Sequence, residues 1–229
     1  MSARVSNHLV TAVCVIALVL AAAGCSKKGP NGPTASPKWS LQTSGIPITA
    51  VWGSAANDIF AVGSNSTILH YNGTTWSAMT SGSTTWLSGV WGSSGTDVFA
   101  MGEDGTILHY NGMTWNTMAS GSSAWLRGVW GSSGSDIFAV GQYGTILHYN
   151  GATWGFMMSD SAAYLNGVWG SSGTDVFAVG ENGTILHYNG TTWNTMASGS
   201  AAWLAGVWGS SGSDVFAAGV FGTILHYGP

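Results

Sequence analysis

Residues 168–206 read VWGSSGTDVFAVGENGTILHYNGTTWNTMASGSAAWLAG, and most of the chain is this stretch repeated. The quartet V-W-G-S begins at Val51, Val90, Val129, Val168 and Val207, and I-L-H-Y begins at Ile68, Ile107, Ile146, Ile185 and Ile224, so both recur every 39 residues. The copies that begin at Val90 and Val168 differ only at Met101/Val179, Asp104/Asn182, Met113/Thr191, Ser123/Ala201 and Arg127/Ala205. Self-similarity at a period near 40 marks a repeat architecture, in which one supersecondary unit is stacked or arrayed against its neighbours.

Each unit divides into four runs separated by turn residues. In the second copy these are Trp86–Trp91, Asp97–Met101, Thr106–Tyr110 and Trp115–Met118. Between them lie the loop Gly92–Thr96, the tight turn Glu103-Asp104-Gly105 and the turn dipeptide Asn111-Gly112. Runs this short, rich in Val, Ile, Phe, Tyr and Trp, read as strands. The two middle runs are apolar at consecutive positions, so both of their faces must be covered. The pattern predicts an all-β, five-bladed β-propeller of four-stranded antiparallel blades. The last copy stops at Tyr227-Gly228-Pro229 without a fourth run, whereas Trp39-Ser40-Leu41 matches the runs at Trp76, Trp115, Trp154 and Trp193. The N-terminal strand is therefore expected to complete the last blade and close the ring, which removes the exposed edges.

The units resemble bacterial Asp-box (neuraminidase-repeat) and photosystem-assembly-factor-like propeller repeats, whose blades run L-x-x-V, W/F-A-V-G and G-x-I-x-x-x-x-x-G-x-T-W. The resemblance covers residues 39–227. It departs from the true Asp-box, because Gly112-x-Thr114-Trp115 is present but Leu108 and Tyr110 stand where that motif has Ser and Asp.

The N-terminal residues belong to targeting. Arg4 precedes an uncharged, largely apolar run from Leu9 to Ala23, short for a membrane span and suited to a secretory signal. Ala22-Ala23-Gly24-Cys25 resembles the bacterial lipobox, which implies cleavage before Cys25 and its lipidation. Ser26 after that cysteine resembles Gram-negative lipoproteins sorted to the outer membrane. Several acyl chains make a stable membrane anchor where one would not. The expected organisation is a lipoprotein signal peptide over 1–24, the lipidated Cys25 with a flexible tether over 25–37, and the propeller over 38–229. Cys14 leaves with the signal, so the propeller is expected to fold without a disulfide.

Arg127 is the only Lys or Arg in 39–229, against nine Asp and Glu, a net charge of 1 − 9 = −8. Such a domain repels phosphate backbones, which argues against a nucleic-acid partner. Among the polar residues that recur in every unit, His and Asp are the candidates for chemistry. His70, His109, His148, His187 and His226 sit one per blade without cysteine beside them. Placed on third strands they lie on the order of 20 Å from one another, whereas zinc ligands converge within about 2 Å of the ion. No metal or other cofactor is expected. Asp58, Asp97, Asp136, Asp175 and Asp214 each follow a Gly/Ser/Asn loop. Pairing the second and third strands puts Asp97 opposite Tyr110 and beside His109, so an Asp–His bond tying the hairpin is expected, as in WD-repeat propellers. Both sets read as structural.

Variation between units gathers at one end of the blades. The turns between strands two and three read Ser64-Asn65, Glu103-Asp104, Gln142-Tyr143, Glu181-Asn182 and Val220-Phe221. The first strands vary at Thr49, Ser88, Arg127, Asn166 and Ala205, headed by Pro47, Trp86, Trp125, Tyr164 and Trp203. A varied face on a uniform scaffold is where loop-borne binding sites reside. The heading aromatics suit stacking on sugars, and they equally suit capping the core between blades. Catalysis is not expected: one arginine does not make the arginine triad of sialidase-type propellers, and no two carboxylates share a cleft at glycosidase spacing. The sequence reads as a monomeric, non-catalytic binding module for a protein partner or assembly. Multivalent glycan binding is the alternative, by fold-level analogy to five-bladed tachylectin-like lectins.

Overall fold

The computed structural model describes residues 38–42 and 44–229, and the signal, Cys25 and tether expected in 1–37 lie outside them. The first blade is β1 (Ile48–Ala55), β2 (Asp58–Gly63), β3 (Ile68–Tyr71) and β4 (Trp76–Met79). The second is β5 (Leu87–Ser94), β6 (Asp97–Gly102), β7 (Ile107–Tyr110) and β8 (Trp115–Met118). The third is β9 (Leu126–Ser133), β10 (Asp136–Gly141), β11 (Ile146–Tyr149) and β12 (Trp154–Phe156). The fourth is β13 (Leu165–Ser172), β14 (Asp175–Gly180), β15 (Ile185–Tyr188) and β16 (Trp193–Met196), and the fifth has only β17 (Leu204–Ser211), β18 (Asp214–Gly219) and β19 (Ile224–Tyr227). Every sheet is an antiparallel meander in chain order. Among the described residues no helix is long and apolar enough to cross a membrane.

Two local boundaries differ from the sequence reading. The first strand runs on through the G-S-S segment, so Ser94 pairs with Asp97 and only Gly95-Thr96 turn the chain. In the next hairpin Val98, not Asp97, pairs with Tyr110. The cause is the turn: Thr106 N bonds Glu103 O and Gly102 N bonds Thr106 O, so Thr106 closes the turn and pairing starts at Ile107. Phe99 then faces His109, and Asp97 reaches that histidine along the diagonal of the same face.

The cores lie between blades and are built by repetition. Phe60 is enclosed by Trp52 and His70 of its own blade and by Tyr110 and Trp115 of the next, with ring centroids 4.6–6.3 Å away. Phe99 and Phe138 occupy the same position at the next two junctions. Tryptophans of the V-W-G-S set lie over the next blade's glycine, Trp52 over Gly92 and Trp91 over Gly131, where a Cβ would approach the indole to 2.7 and 2.6 Å. That closeness accounts for the Gly after Trp91, Trp130, Trp169 and Trp208, whereas Gly53 after Trp52 has no indole over it.

Inner strands pack in series, β1 on β5, β5 on β9, β9 on β13 and β13 on β17. No comparable packing returns β17 to β1. Val51 is accordingly 47% exposed where Val90 is 7%, and Phe216 is 37% exposed where Phe177 is 1%. The closing strand expected at Trp39-Ser40-Leu41 is unpaired here, with Trp39 and Leu41 in solvent, and the fifth sheet stays three-stranded. The repeat specifies each junction separately, and the union of the two ends is a property that no single repeat carries.

Candidate binding face

The turns between strands two and three and the heads of the inner strands meet at one end of the blades. In blade two, Glu103 N bonds Trp86 O at the head of its own first strand, and Gly105 N bonds Ala124 O in the approach to the next. The same pair recurs as Gln142 with Trp125 and Glu181 with Tyr164. Each turn has two successive residues at positive φ, the primed geometry that favours Asn-Gly. Asn65, Asp104 and Asn182 suit the first of these positions, at φ 52, 54 and 53. Tyr143 and Phe221 take the same conformation at φ 58 and 57, and both side chains are exposed. A bulky residue held there is strained by roughly 1–2 kcal/mol.

Below this crown, the varied second residues of the inner strands reach from blade to blade. Thr49 Oγ1 donates to Leu87 O at 2.5 Å, and Trp125 Nε1 donates to Ser88 Oγ. Arg127 Nη1 donates to Asn166 Oδ1 at 2.9 Å, and Asn166 Nδ2 donates to Leu204 O at 2.9 Å. The heading aromatics join the same cluster. Trp86 and Trp125 have centroids 6.3 Å apart, and Tyr143 meets Tyr164 edge-on at 5.2 Å. The Arg127 guanidinium lies 5.1, 5.6 and 5.7 Å from the rings of Trp125, Tyr164 and Trp203. Three blades thus converge on the only Lys or Arg of residues 39–229.

Electrostatics at this point are set by burial. Desolvation lowers the Arg127 pKa from its usual value, opposed by the charges of Glu181 and Tyr164, and Arg127 Nε is buried without a hydrogen-bond partner. Cation–π contact with three rings supplies part of what water would have given. A hydrogen bond with Tyr143 raises the Tyr164 phenol above its ordinary range, with desolvation and Glu181 adding to it and Arg127 acting the other way.

The candidate residues therefore divide. Trp86, Trp125, Tyr164, Trp203, Arg127, Asn166 and Tyr143 form one connected patch across blades two to five, with the charge of Glu181 acting on Arg127 and Tyr164, while Gln142, like Glu103, joins only through its backbone N–H on a heading aromatic's carbonyl. Glu103-Asp104 and Asn182 belong to the crown, where Asp104 and Asn182 are exposed. The heading aromatics are neither core nor free: most are half-buried against one another, with Trp203 39% exposed. Two features were beyond sequence reasoning, the strained backbone of Tyr143 and Phe221 and the convergence on Arg127. The first left a trace, since a Tyr-Gly or Phe-Gly pair stands where units two and four have Asp-Gly and Asn-Gly.

The repeated polar pairs lie elsewhere in each blade. Nε2 of His70, His109, His148, His187 and His226 is 2.6–2.7 Å from Oδ1 of Asp58, Asp97, Asp136, Asp175 and Asp214, while Oδ2 of each carboxylate takes a serine hydroxyl from Ser54, Ser93, Ser132, Ser171 or Ser210. Each imidazole also stacks on the Phe facing it, at 4.1–4.6 Å. Among the described residues no three His, Cys, Asp or Glu side chains cluster as metal ligands would.

No protein-family model and no curated protein matches the sequence. Solved structures do match its fold. The chain is similar to YCF48 bound to D1 peptide, with TM-score 0.64 and 15% identity over 82% of this chain and 68% of that one. It is likewise similar to YCF48 from Cyanidioschyzon merolae, with TM-score 0.64 and 16% identity over 82% of this chain and 72% of that one. At such identities the likeness is one of fold.

Proposed function

We propose that this chain is a non-catalytic propeller, tethered to the outer membrane through a lipidated Cys25, that binds a protein segment on its varied face. The observation that carries the reading is the single connected cluster around Arg127. Multivalent glycan binding needs several equivalent, independent aromatic platforms. Here Trp125 has Trp86 and Arg127 beside it, Tyr164 has Tyr143 and Arg127, and blade one offers Pro47 in place of a ring. A lopsided patch of aromatics around one cation suits one asymmetric partner, whose acidic or carbonyl groups meet Arg127 while apolar side chains meet Tyr143, Trp203 and Phe221. A solved propeller of similar fold, YCF48, was determined bound to a D1 peptide, which supports peptide recognition as a use of such a scaffold. Exposed aromatics retained at strained turn positions point the same way, because Asn would be more stable there.

The test is site-specific photocrosslinking of the lipoprotein in its own cell envelope. A photoreactive residue at Tyr143 or Phe221 is expected to capture a defined protein. The same residue at Ser132, on the opposite end of the blades, captures none. Arg127→Ala is expected to reduce capture at least about tenfold, the loss of one central contact. Equal capture from both ends would refute the reading. Capture of nothing, together with binding on a glycan array that Trp203→Ala abolishes, would favour the lectin alternative.

A further inference from the structure

Blade three departs from the repeat along its outer edge. Gly155, Phe156, Met158 and Asp160 stand where blade four has Asn194, Thr195, Ala197 and Gly199. Phe156 is 61% exposed and Met158 84%, two large apolar side chains in solvent on one rim. Phe156 pairs with the buried Leu147 and so lies on the side of the sheet that faces blade two, where a Cβ built at Gly121 would sit 3.6 Å from its ring. On that side Trp154 is buried and its Nε1 has no hydrogen-bond partner, whereas Trp115 and Trp193 Nε1 reach Met79 and Met157 Sδ at 3.5 Å.

The backbone at this rim is open as well. β12 is the outer strand of its sheet, with no strand beyond it. Met157 N donates to Ile146 O at 2.9 Å, so Met157 and Gly155 bond to β11, and by the alternation of an antiparallel ladder the N–H and C=O of Phe156 point outward. Side chains commonly blunt such edges. In blades two and four, Asn116 and Asn194 Nδ2 fold back two residues onto Thr114 and Thr192. Gly155 has no side chain to do so, and a Cβ built there meets nothing within 4 Å.

This rim is continuous with the varied face. Ser159 Oγ donates to Gly144 O at 3.3 Å and Gly144 N to Ala163 O at 2.8 Å, so the segment after Met158 lies against the turn that carries Tyr143. Tyr143 meets Tyr164, whose ring lies by Arg127. We propose that the partner segment bound at Arg127 runs outward over blade three, past Tyr143, and adds a fifth strand to β12, with its apolar side chains on Phe156 and Met158. The proposal rests on the reading of the varied face as a protein-binding site, and it assigns the partner's form. The segment is extended, apolar at alternate positions where it pairs with β12, and carries a Lys or Arg for the exposed Asp160. Phe156 alone offers two outward backbone bonds, too few to offset the ordering of a segment, so the strand needs its anchor at the centre of the face. Charge selects this occupant over two others. A second copy paired edge to edge would bring together two domains of one base and nine acids each, which repel, and an anionic membrane surface would be repelled likewise.

The experiment selects binders of the full chain, held in detergent, from a displayed library of short random peptides. The comparison protein is Phe156→Thr with Met158→Ala, which restores the residues that blade two has at those places, Thr117 and Ala119. The selected peptides are expected to carry alternating apolar residues with a Lys or Arg, to bind the double variant at least about tenfold more weakly, and to lose binding when alternate backbone amides are N-methylated. Equal binding to both proteins, indifference to N-methylation, or a library that yields no peptide able to tell the two apart would overturn the proposal. Arg127→Ala separates it from the reading on which it rests. Peptides weakened by Arg127→Ala but not by the double variant would keep the varied face as the site and overturn the strand at its rim. Peptides weakened by the double variant alone would support the strand and refute a part for Arg127. A dimer of the full chain that the double variant dissociates, read by sedimentation, would overturn the proposal in favour of a second copy.

Discussion

Ser66 has a conformation and a position that suit glycine. It takes φ 52 where Gly105, Gly144 and Gly183 take φ 65, 66 and 68, and its hydroxyl is buried without a partner. In blades two to four a Cβ at that place would collide with a carbonyl of the approach to the next blade, that of Ser122, Ser161 or Ser200. Ser66→Gly removes the left-handed strain and the stranded hydroxyl together. It is expected to stabilise the fold by about 1–2 kcal/mol, read as a rise of roughly 2–6 °C in a thermal melt. Tyr143→Asn belongs to the same class with a different consequence. It should stabilise by about 1 kcal/mol while weakening partner capture, because the ring it deletes faces solvent on the varied face. A gain in both quantities would mean that Tyr143 has no role in binding. These positions also mark how far single residues were legible. The X-Gly turn was visible in the sequence, but that a tyrosine would accept the asparagine's backbone was not, since local preference opposes it.

Within each hairpin, Asp, His, Ser and Phe form one unit that ties the start of the first turn to the third strand. At Asp58, desolvation works to raise the pKa, but hydrogen bonds from Ser54 and His70 and the charge of His70 prevail and hold it below the ordinary carboxylate value. At Asp214, hydrogen bonds from Ser210 and His226 lower the pKa against a smaller opposing effect of burial. A depressed folded pKa contributes stability that is present above the unfolded value, about 3.9, and that is lost as pH falls through the folded value. Stability should thus fall in acid below about pH 4. His70→Ala removes the bond and the ring stacked on Phe60. It is expected to lower stability by about 1 kcal/mol, the modest worth of a half-exposed pair, and to move the acid transition to higher pH. An acid limb that superposes on the unmodified protein's would show that the carboxylate draws its stabilisation elsewhere. The partnership of Asp and His was legible because both recur at fixed spacing in five copies. Its register was not, because one residue of turn geometry, Thr106 closing on Glu103, shifts every pair by one.

Across the whole molecule, the blade count follows from the period and the composition of each blade from its turns. The convergence of Tyr164 and Trp203 on Arg127 does not, because those two rings lie 37 and 76 positions further along the chain and reach it only through the angle between blades. The sequence leads one to expect an N-terminal fourth strand beside the last blade's other three, but the structure leaves the two ends apart. The end blades should therefore govern unfolding. In a repeat protein each unit is held by its neighbours, so amide exchange is expected to be slowest in β10, at the centre of the series, and faster in β2 and β18. A uniform rate across the three would indicate a single all-or-none unit sealed at its ends.

Near-identity of the blades has one more consequence, for how the chain reaches its fold. A strand that pairs correctly with its own neighbour meets almost the same chemistry on four other blades, so a chain released whole from denaturant faces many arrangements of nearly equal energy. Synthesis from the N-terminus removes that degeneracy, since each blade is complete before its look-alike exists. Order of emergence then carries information that the side chains do not, and the one distinctive mark on the fourth-strand tryptophans is an oxygen: Trp76 donates to Gln42 Oε1, where Trp115 and Trp193 meet sulfur.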